Sequence, residues 1–192
     1  MSTHHVTLIG QDSSQERQIV TVDRHNNALV VQSEVHENIH RGIFHSVSGT
    51  QSIGSGSVAD FLIRVATSAH IRFTGTVEHT MLGQLWEAPT TSADGTPLTS
   101  YNRNRFSANT AGTLFFGAPT VTDPGTQLMD FLMAGGNKNT ASGGSGSSFE
   151  EWILAPGDYI ARVSNTIISP AAAGYAGVVM DFYEPGQSPD IP

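Results

Sequence analysis

Hydrophobic residues in this chain recur in short runs with a period of two, and the three-to-four spacing of amphipathic helices is hard to find. The clearest run is HIRFTGTVEH (70–79), in which Ile71, Phe73 and Val77 point to one side while polar and charged residues alternate with them. Such alternation predicts a β-strand with one buried face and one wet face.

Other runs rich in β-branched and aromatic residues are separated by Gly, Pro, Asn and Asp, and each is predicted to be a strand. Before residue 40 the predicted strands are 5–10, 18–22 and 28–35; after it they are 42–48, 58–66, 70–79, 81–88, 113–118, 126–134, 150–155, 158–165 and 174–184. Two polar stretches, 89–112 and 135–148, are predicted to be loops, and no internal repeat is apparent. The pattern predicts an all-β fold: a jelly-roll β-sandwich over residues 36–192, preceded over residues 1–35 by an extended N-terminal arm or small added strands.

Composition narrows the classes of function. The 192 residues include only 9 Lys and Arg against 17 Asp and Glu, which gives a net charge of −8 and disfavours nucleic-acid binding. Cysteine is absent, so neither a disulfide framework nor a thiolate metal site can form. The start MSTHHVTLIGQD lacks the pattern of a secretion signal, and the longest apolar stretch, 171–180, is short of the roughly 20 residues of a spanning helix. We therefore expect a chain made in the cytoplasm, with no membrane partner.

The segment His-Glu-Asn-Ile-His (36–40) has the letters of a zinc-protease motif. That motif needs a helix, because residues four apart then share one face and both imidazoles reach one metal ion. On a strand the same residues lie about 13 Å apart and cannot converge. Val30, Val31 and Val35 precede the motif and Gly42 follows it, so we predict sheet-and-turn backbone around Asn38, with histidines that only form hydrogen bonds.

The sequence contains few other candidates for a metal site or a sugar-binding site. Cupin-type metal binding would need His-X-His, which the chain lacks, although His36, His40, His45, His70 and His79 could still form an unplanned cluster. Glu150 and Glu151 adjoin Trp152, which is reminiscent of a sugar platform but is more typical of a core residue. We expect no enzyme activity, no cofactor and no stoichiometric metal in the purified protein.

Several segments together resemble a family of proteins from tailed-bacteriophage virions. They are HENIHRGIFHSVS, HIRFTGTVEHTMLGQLWEAPTTSADGTPLTSYNRNR, GAPTVTDPGTQL, EEWILAPGDYIARVSN and VVMDFYE, which lie within residues 34–184, and the most particular piece is DGTPLTSYNRNR (94–105). The chain is similar to head-associated capsid cement or decoration proteins. This resemblance implies a jelly-roll protein, often a homotrimer, that stabilises the shell from the outer surface of the virion, with itself and the major capsid protein as partners.

The alternation of Asn102, Arg103, Asn104 and Arg105 is the candidate subunit or capsid interface. Side chains two apart on an extended segment share a face, so both guanidinium groups could grip carboxylates of another subunit. Alternatively they brace their own loop against Asp94 or Glu87. The sequence leaves these two interpretations open.

A second function class is a glycan- or receptor-binding module of a head fibre or tail. In that interpretation the loops 89–112 and 135–148, with Trp86 or Trp152, would form the site. A solvent-exposed tryptophan would favour it, and a buried one would disfavour it.

Overall fold

A computed structural model of the protein describes residues 8–11, 17–22, 29–32, 34–133, 135, 147–148, 151–166 and 173–185. In these residues one short helix, α1 (Glu34–His40), accompanies seventeen strands. The strands are β1 (Leu8–Gln11), β2 (Arg17–Val22), β3 (Leu29–Gln32), β4 (Phe44–Ile53), β5 (Val58–Val65), β6 (Ala69–Val77), β7 (Met81–Glu87), β8 (Thr90–Ala93), β9 (Thr96–Leu98), β10 (Tyr101–Asn102), β11 (Leu114–Gly117), β12 (Thr120–Asp123), β13 (Thr126–Met133), β14 (Ser147–Ser148), β15 (Trp152–Leu154), β16 (Gly157–Ser164) and β17 (Gly174–Tyr183). The all-β prediction is confirmed.

The strands of the N-terminal part form an antiparallel sheet of their own, in the order β1-β2-β3. They coincide with the three extended segments predicted there, so this part contains small added strands. The division at residue 35 stays a prediction, and α1 runs across it.

Two six-stranded sheets and the two-stranded sheet of β8 and β12 contain the remaining strands. The first has the order β10-β4-β17-β6-β14, with β15 also paired to β6, and the second has the order β13-β7-β16-β5-β11-β9. If β4, β5, β6, β7, β13, β14 with β15, β16 and β17 are counted as strands one to eight, the first sheet holds strands 1-8-3-6 and the second holds 2-7-4-5. Successive strands therefore alternate between the sheets along most of the chain.

The core lies between these sheets. In β6 the exposed and buried residues alternate along the strand, as the sequence predicts, with Ile71 and Phe73 buried. Phe61 and Ile63 come from the facing sheet, and both are fully buried in the same apolar cluster as Phe182. The alternation of each strand therefore supplies one face of a shared core.

The prediction of sheet-and-turn backbone around Asn38 is wrong, because residues 34–40 are helical. The amide of Gly42 donates to the carbonyl of Ile39 at 3.0 Å and the amide of Ile43 donates to that of Asn38 at 3.1 Å. With Gly42 at φ +68°, this is a Schellman cap, in which glycine ends a helix without the steric penalty of a side chain. Gly42 thus terminates a two-turn helix instead of preventing one.

The predicted polar loop 89–112 also needs correction, since β8, β9 and β10 lie within it. Its first half repeats later in the chain: EAPTTSADGTPL (87–98) matches GAPTVTDPGTQL (117–128). Ala88 and Ala118 take the same unusual φ of 54° and 53°, and β8 pairs with β12. The chain therefore does contain an internal repeat.

The repeat extends through the second sheet. Asp-Phe-Leu-Ile-Arg (60–64) of β5 lies antiparallel to Asp-Tyr-Ile-Ala-Arg (158–162) of β16, with Leu62 opposite Ile160. Asp60 accepts two hydrogen bonds from Arg162, at 2.7 and 2.9 Å, and Asp158 accepts from Arg64 at 3.1 Å. A pseudo-twofold axis between these strands relates β16 to β5, β7 to β11 and β13 to β9.

The outer face of this sheet follows the same symmetry. Arg64 lies over the ring of Phe116 and Arg162 lies over that of Trp86, with guanidinium-to-ring distances of 5.6 and 5.8 Å. Leu62 and Ile160 sit between the two aromatic residues in register and are fully buried, although they face away from the core. The stacked side chains thus cover the centre of this face, although Leu114 and Leu132 of the same sheet remain 50% and 60% exposed.

Candidate functional site

The predicted interface residues lie in a loop that joins β10 to β11. Strand β10 pairs with β4 through Tyr101 opposite Ser46 and Asn102 opposite His45, and the amide of Arg103 donates to the carbonyl of Phe44 at 2.9 Å. The loop therefore leaves the edge of the first sheet next to α1. We call residues 101–109 the Asn-Arg loop.

Asn102 is buried and its side chain bonds within its own chain, while its place in an interface stays a prediction. Its Nδ2 donates to the carbonyl of Gly42 at 2.7 Å and to that of Asn109 at 3.1 Å. Its Oδ1 accepts from the amide of Asn104 at 2.9 Å. Asn102 is the residue around which the loop folds, because a buried amide must satisfy both its donors and its acceptor.

Asn104 repeats the same local bond one step later. Its Oδ1 accepts from the amide of Phe106 at 3.1 Å, and its Nδ2 donates to the carbonyl of His40 at 3.1 Å. Two successive Asx turns thus shape the loop, and the second one also holds the end of α1. The two asparagines thus hold the loop in shape, and the side chains next to them are left on its surface.

Arg103 braces its own chain. Its Nη1 lies 3.5 Å from Oδ2 of Asp181 and its guanidinium lies 5.4 Å from the Phe44 ring centre. The predicted bracing partners were Asp94 or Glu87, but Asp94 pairs with Arg64 at 3.0 Å. The intrachain interpretation therefore fits Arg103, with Asp181 as the partner.

Arg105 lies on the outer side of the loop with two exposed aromatic residues. Its guanidinium is 5.9 Å from the ring centre of Tyr101, whose exposure is 59%. Phe106 is 100% exposed. Tyr101, Arg105 and Phe106 form the surface that we call the aromatic-arginine patch.

Phe106 is not among the predicted interface residues, because that prediction rests on the alternation of Asn and Arg. The signal was present as a single phenylalanine in the polar segment SYNRNRFSANT (100–110). A large apolar residue among turn-forming residues is not placed in the core by the alternation of a strand. It therefore either covers an edge of the core or contacts a partner.

The His-Glu-Asn-Ile-His motif lies on α1, beside this loop. The helix brings Nε2 of His36 to 3.0 Å from Nε2 of His40, both on an exposed face. The third histidine of the segment does not join them: His45 is 1% exposed, stacks on Phe182 and contacts the carbonyls of Ile43 and Asn109. Across the described residues, no group of three or more His, Cys, Asp or Glu is arranged to hold a metal ion.

His70 belongs to a separate polar network. Its Nδ1 lies 2.7 Å from the hydroxyl of Tyr183 and 2.8 Å from Oε1 of Glu151, and the Tyr183 hydroxyl also donates to Glu34 at 2.8 Å. Burial and then the bond to Glu34 raise the pKa of Tyr183 far above its usual value, so the phenol stays protonated. The network ties α1 to β17 and offers a donor but no activated nucleophile.

The two tryptophans do not form an open sugar platform. Trp86 lies under the guanidinium of Arg162, and Trp152 is partly buried against the core. Of the loop 135–148, only residues 135 and 147–148 are among those the structure describes. Both tryptophans are partly exposed, and the glycan-binding alternative stays a prediction.

Comparison with known proteins adds no family to this description. No protein-family model matches the sequence, and no curated protein is significantly similar to it. The helix that the structure describes is too short to cross a membrane.

Proposed function

We propose that this chain is a structural protein of a bacteriophage virion, which binds the outer surface of the capsid as a homotrimer and stabilises the shell. The observation that carries the proposal is the aromatic-arginine patch. A fully exposed phenylalanine beside a tyrosine and an arginine has the composition of an interface hot spot, in which aromatic residues and arginine contribute most of the binding energy.

The hydrogen bonds that fix the Asn-Arg loop beneath the patch support a binding role. The Asn-Arg loop is fixed by the hydrogen bonds of Asn102 and Asn104 to α1, to Gly42 and to its own backbone. A loop fixed before binding loses little conformational entropy when the partner arrives. The backbone that carries Phe106 is therefore fixed, and its exposed side chain is accessible for insertion into an apolar pocket.

Charge indicates what surrounds that pocket. Arg103 already contacts Asp181, whereas Arg105 lies at the rim of the patch over Tyr101. A guanidinium at a rim favours a partner surface that carries carboxylates around an apolar centre. The net charge of −8 suits the outside of a shell, because packaged DNA would repel it inside.

We also propose that the sandwich is a jelly roll. The strand order 1-8-3-6 over 2-7-4-5 supports this, since a jelly roll consists of eight strands in two interleaved Greek keys. Trimerisation would let three patches engage the shell together, so that contacts of modest strength add up through high effective concentration.

The test measures attachment to shells that lack the protein. In Phe106→Ala we expect at least tenfold weaker attachment, because removing a hot-spot side chain costs about 2 kcal/mol or more. Bound copies per shell, quantified against protein concentration, give the affinity. Sedimentation in solution should give the mass of three chains of 20.4 kDa each.

Tyr175→Ala is the matched control, since Tyr175 is an aromatic residue with 62% exposure on the outer face of β17, away from the loop. It should attach like the unmodified protein. Equal attachment of all three proteins would refute the role of the patch, and a monomer in solution would refute the trimer.

A further inference from the structure

The two histidines of α1 form an arrangement that the proposed function does not use. Residues four apart on a helix are neighbours on one face, and here the Nε2 atoms of His36 and His40 are 3.0 Å apart on an exposed surface. We propose that His36 and His40 chelate divalent transition-metal ions, with Cu²⁺ and Ni²⁺ bound more tightly than Zn²⁺.

The separation of the two nitrogens supports this assignment. An ion about 2.0–2.1 Å from each imidazole nitrogen holds them about 2.9 Å apart at a right angle and about 3.3 Å apart at a tetrahedral angle. The observed 3.0 Å is close to the right-angle value. Square-planar Cu²⁺ and Ni²⁺ use such angles, and Cu²⁺ also leads the general affinity order for nitrogen ligands.

The hydrogen bond between the two rings also requires one of them to present an unprotonated Nε2. At present one Nε2–H donates to the other Nε2, so one ring nitrogen of the pair is already an acceptor. When a metal ion takes the place of this proton, the donor ring moves its proton to Nδ1 and both rings coordinate through Nε2. A protonated nitrogen cannot be a ligand, so coordination needs both Nε2 atoms without their protons.

The helix that carries the rings is fixed at both ends. The hydroxyl of Tyr183 donates to Glu34 at 2.8 Å, and Nδ2 of Asn104 donates to the carbonyl of His40 at 3.1 Å. This anchoring holds the rings one turn apart before the metal arrives, which reduces the ordering cost of binding. With two protein ligands the remaining positions are taken by water, so the ion exchanges and dialysis against a chelator removes it.

The experiment uses the full chain with His4→Ala and His5→Ala as the parent, because these adjacent histidines are a second possible site in the sequence. Calorimetric titration with CuCl₂, NiCl₂ and ZnCl₂ should give one ion per chain, with Zn²⁺ weakest. The Cu²⁺ electron paramagnetic resonance spectrum should show two nitrogen ligands. In the parent background, His36→Ala or His40→Ala should each weaken Cu²⁺ binding at least tenfold and remove one nitrogen from the spectrum.

A control keeps the histidine count and moves one ring. His40→Ala with Arg41→His places the second imidazole beyond the end of the helix and also removes a positive charge, which by itself favours cation binding. Weakened binding in this variant therefore reports lost chelation. Circular dichroism checks the fold, and His36→Gln replaces any alanine variant that unfolds. Unchanged Cu²⁺ affinity and nitrogen count in the His36 variant would overturn the proposal.

Discussion

At position 102 a single amide group organises the whole Asn-Arg loop. It donates to the carbonyls of Gly42 and Asn109 and accepts from the amide of Asn104, all within a site that is 9% exposed. The loop thus depends on one side chain that joins the segment before β4, the end of β10 and the end of the loop at Asn109.

Replacing Asn102 by alanine should lower the free energy of unfolding by about 1–3 kcal/mol, because two carbonyls and one amide each lose a hydrogen bond in a buried site. Urea denaturation measures this change. Asn102→Asp should also destabilise, since it keeps the acceptor but places an oxygen against two carbonyl oxygens. Arg105→Ala is the surface control and should stay within about 0.5 kcal/mol of the unmodified protein; an equal loss in Arg105→Ala would contradict this account.

The residues of the candidate site were predictable as a segment and not one by one. The Asn and Arg alternation pointed to residues 102–105, yet only Arg105 of the four belongs to the exposed patch. The partner of Arg103 is Asp181, which is 78 positions away in sequence, and only the pairing of β17 with β4 brings them together. Such contacts depend on register, which a local pattern does not encode.

Among the elements, the repeated turns show how two parts of the chain support each other. Gly95 of the first copy lies against the backbone of Gly117 and Ala118, and Gly125 of the second copy lies against Glu87 and Ala88. The amides of Ala88 and Ala118 donate to the carbonyls of Asp158 and Asp60 at 3.0 and 3.1 Å, which holds both in their left-handed conformation. The glycine turn of each copy therefore packs against the left-handed alanine of the other copy.

Gly95→Ala and Gly125→Ala should each destabilise the protein by more than about 2 kcal/mol, since a Cβ would overlap backbone atoms that cannot move aside. Gly56→Ala is the matched control: Gly56 has a similar positive φ of 70°, and nothing lies within 4 Å of its added Cβ. It should cost only about 1 kcal/mol, the penalty of the left-handed backbone alone. Thermal or urea unfolding of the three variants separates the two effects, and equal losses would show that close packing contributes nothing.

The turn between β8 and β9 also carries a pH-dependent contact. Arg64 donates to both oxygens of Asp94, at 3.0 and 3.1 Å, and these bonds lower the pKa of Asp94 below 3.8. A carboxyl with a lowered pKa in the folded state stabilises the fold above its unfolded pKa, and this contribution disappears as pH falls through the folded value. The hydrogen bonds between Arg64 and the Asp94 carboxylate should therefore weaken only at acidic pH.

The measurement is a carbon-13 titration of the Asp94 carboxyl. In Arg64→Gln its midpoint should rise towards 3.8, since the first cause of the lowered pKa is the hydrogen bond from Arg64. A midpoint that stays where it is in the unmodified protein would contradict this origin.

The elements that the sequence does not predict share one physical property: they are short. Strands β4 to β7 and β16 to β17 were found because alternation over eight or so residues is a strong signal. Helix α1 spans 7 residues and is defined by its caps, while β8 to β10 have 2–4 residues each and few apolar side chains. Short elements that depend on tertiary contacts leave little pattern in the sequence.

At the scale of the whole molecule, the fold class followed from composition and periodicity, and the arrangement of the strands did not. Abundant glycine, low charge and alternating runs predicted an all-β sandwich. The pseudo-twofold symmetry of the second sheet is visible in the sequence only at 87–98 and 117–128, because the paired strands DFLIR and DYIAR share no more than their first Asp and last Arg. Antiparallel pairing between distant segments made it visible.

The N-terminal sheet leads to a prediction about the assembled particle. Deleting residues 2–33 should weaken attachment to the shell and leave the sandwich folded, because an added sheet can extend a partner's sheet through its edge. Copies per particle measure attachment, and near-ultraviolet circular dichroism reports the packing of the sandwich. Unchanged occupancy on the particle would refute this role.

The order of strands also decides when the protein can fold during its synthesis. Strand β17 lies between β4 and β6, and β16 lies between β5 and β7, so the two strands that come latest among the described residues occupy central places in both sheets. A nascent chain that still holds residues 157–183 inside the ribosome has two open sheets with unpaired edges, which are prone to aggregate. The sandwich therefore closes only after β16 and β17 have left the ribosome, and termination before residue 157 leaves both sheets incomplete.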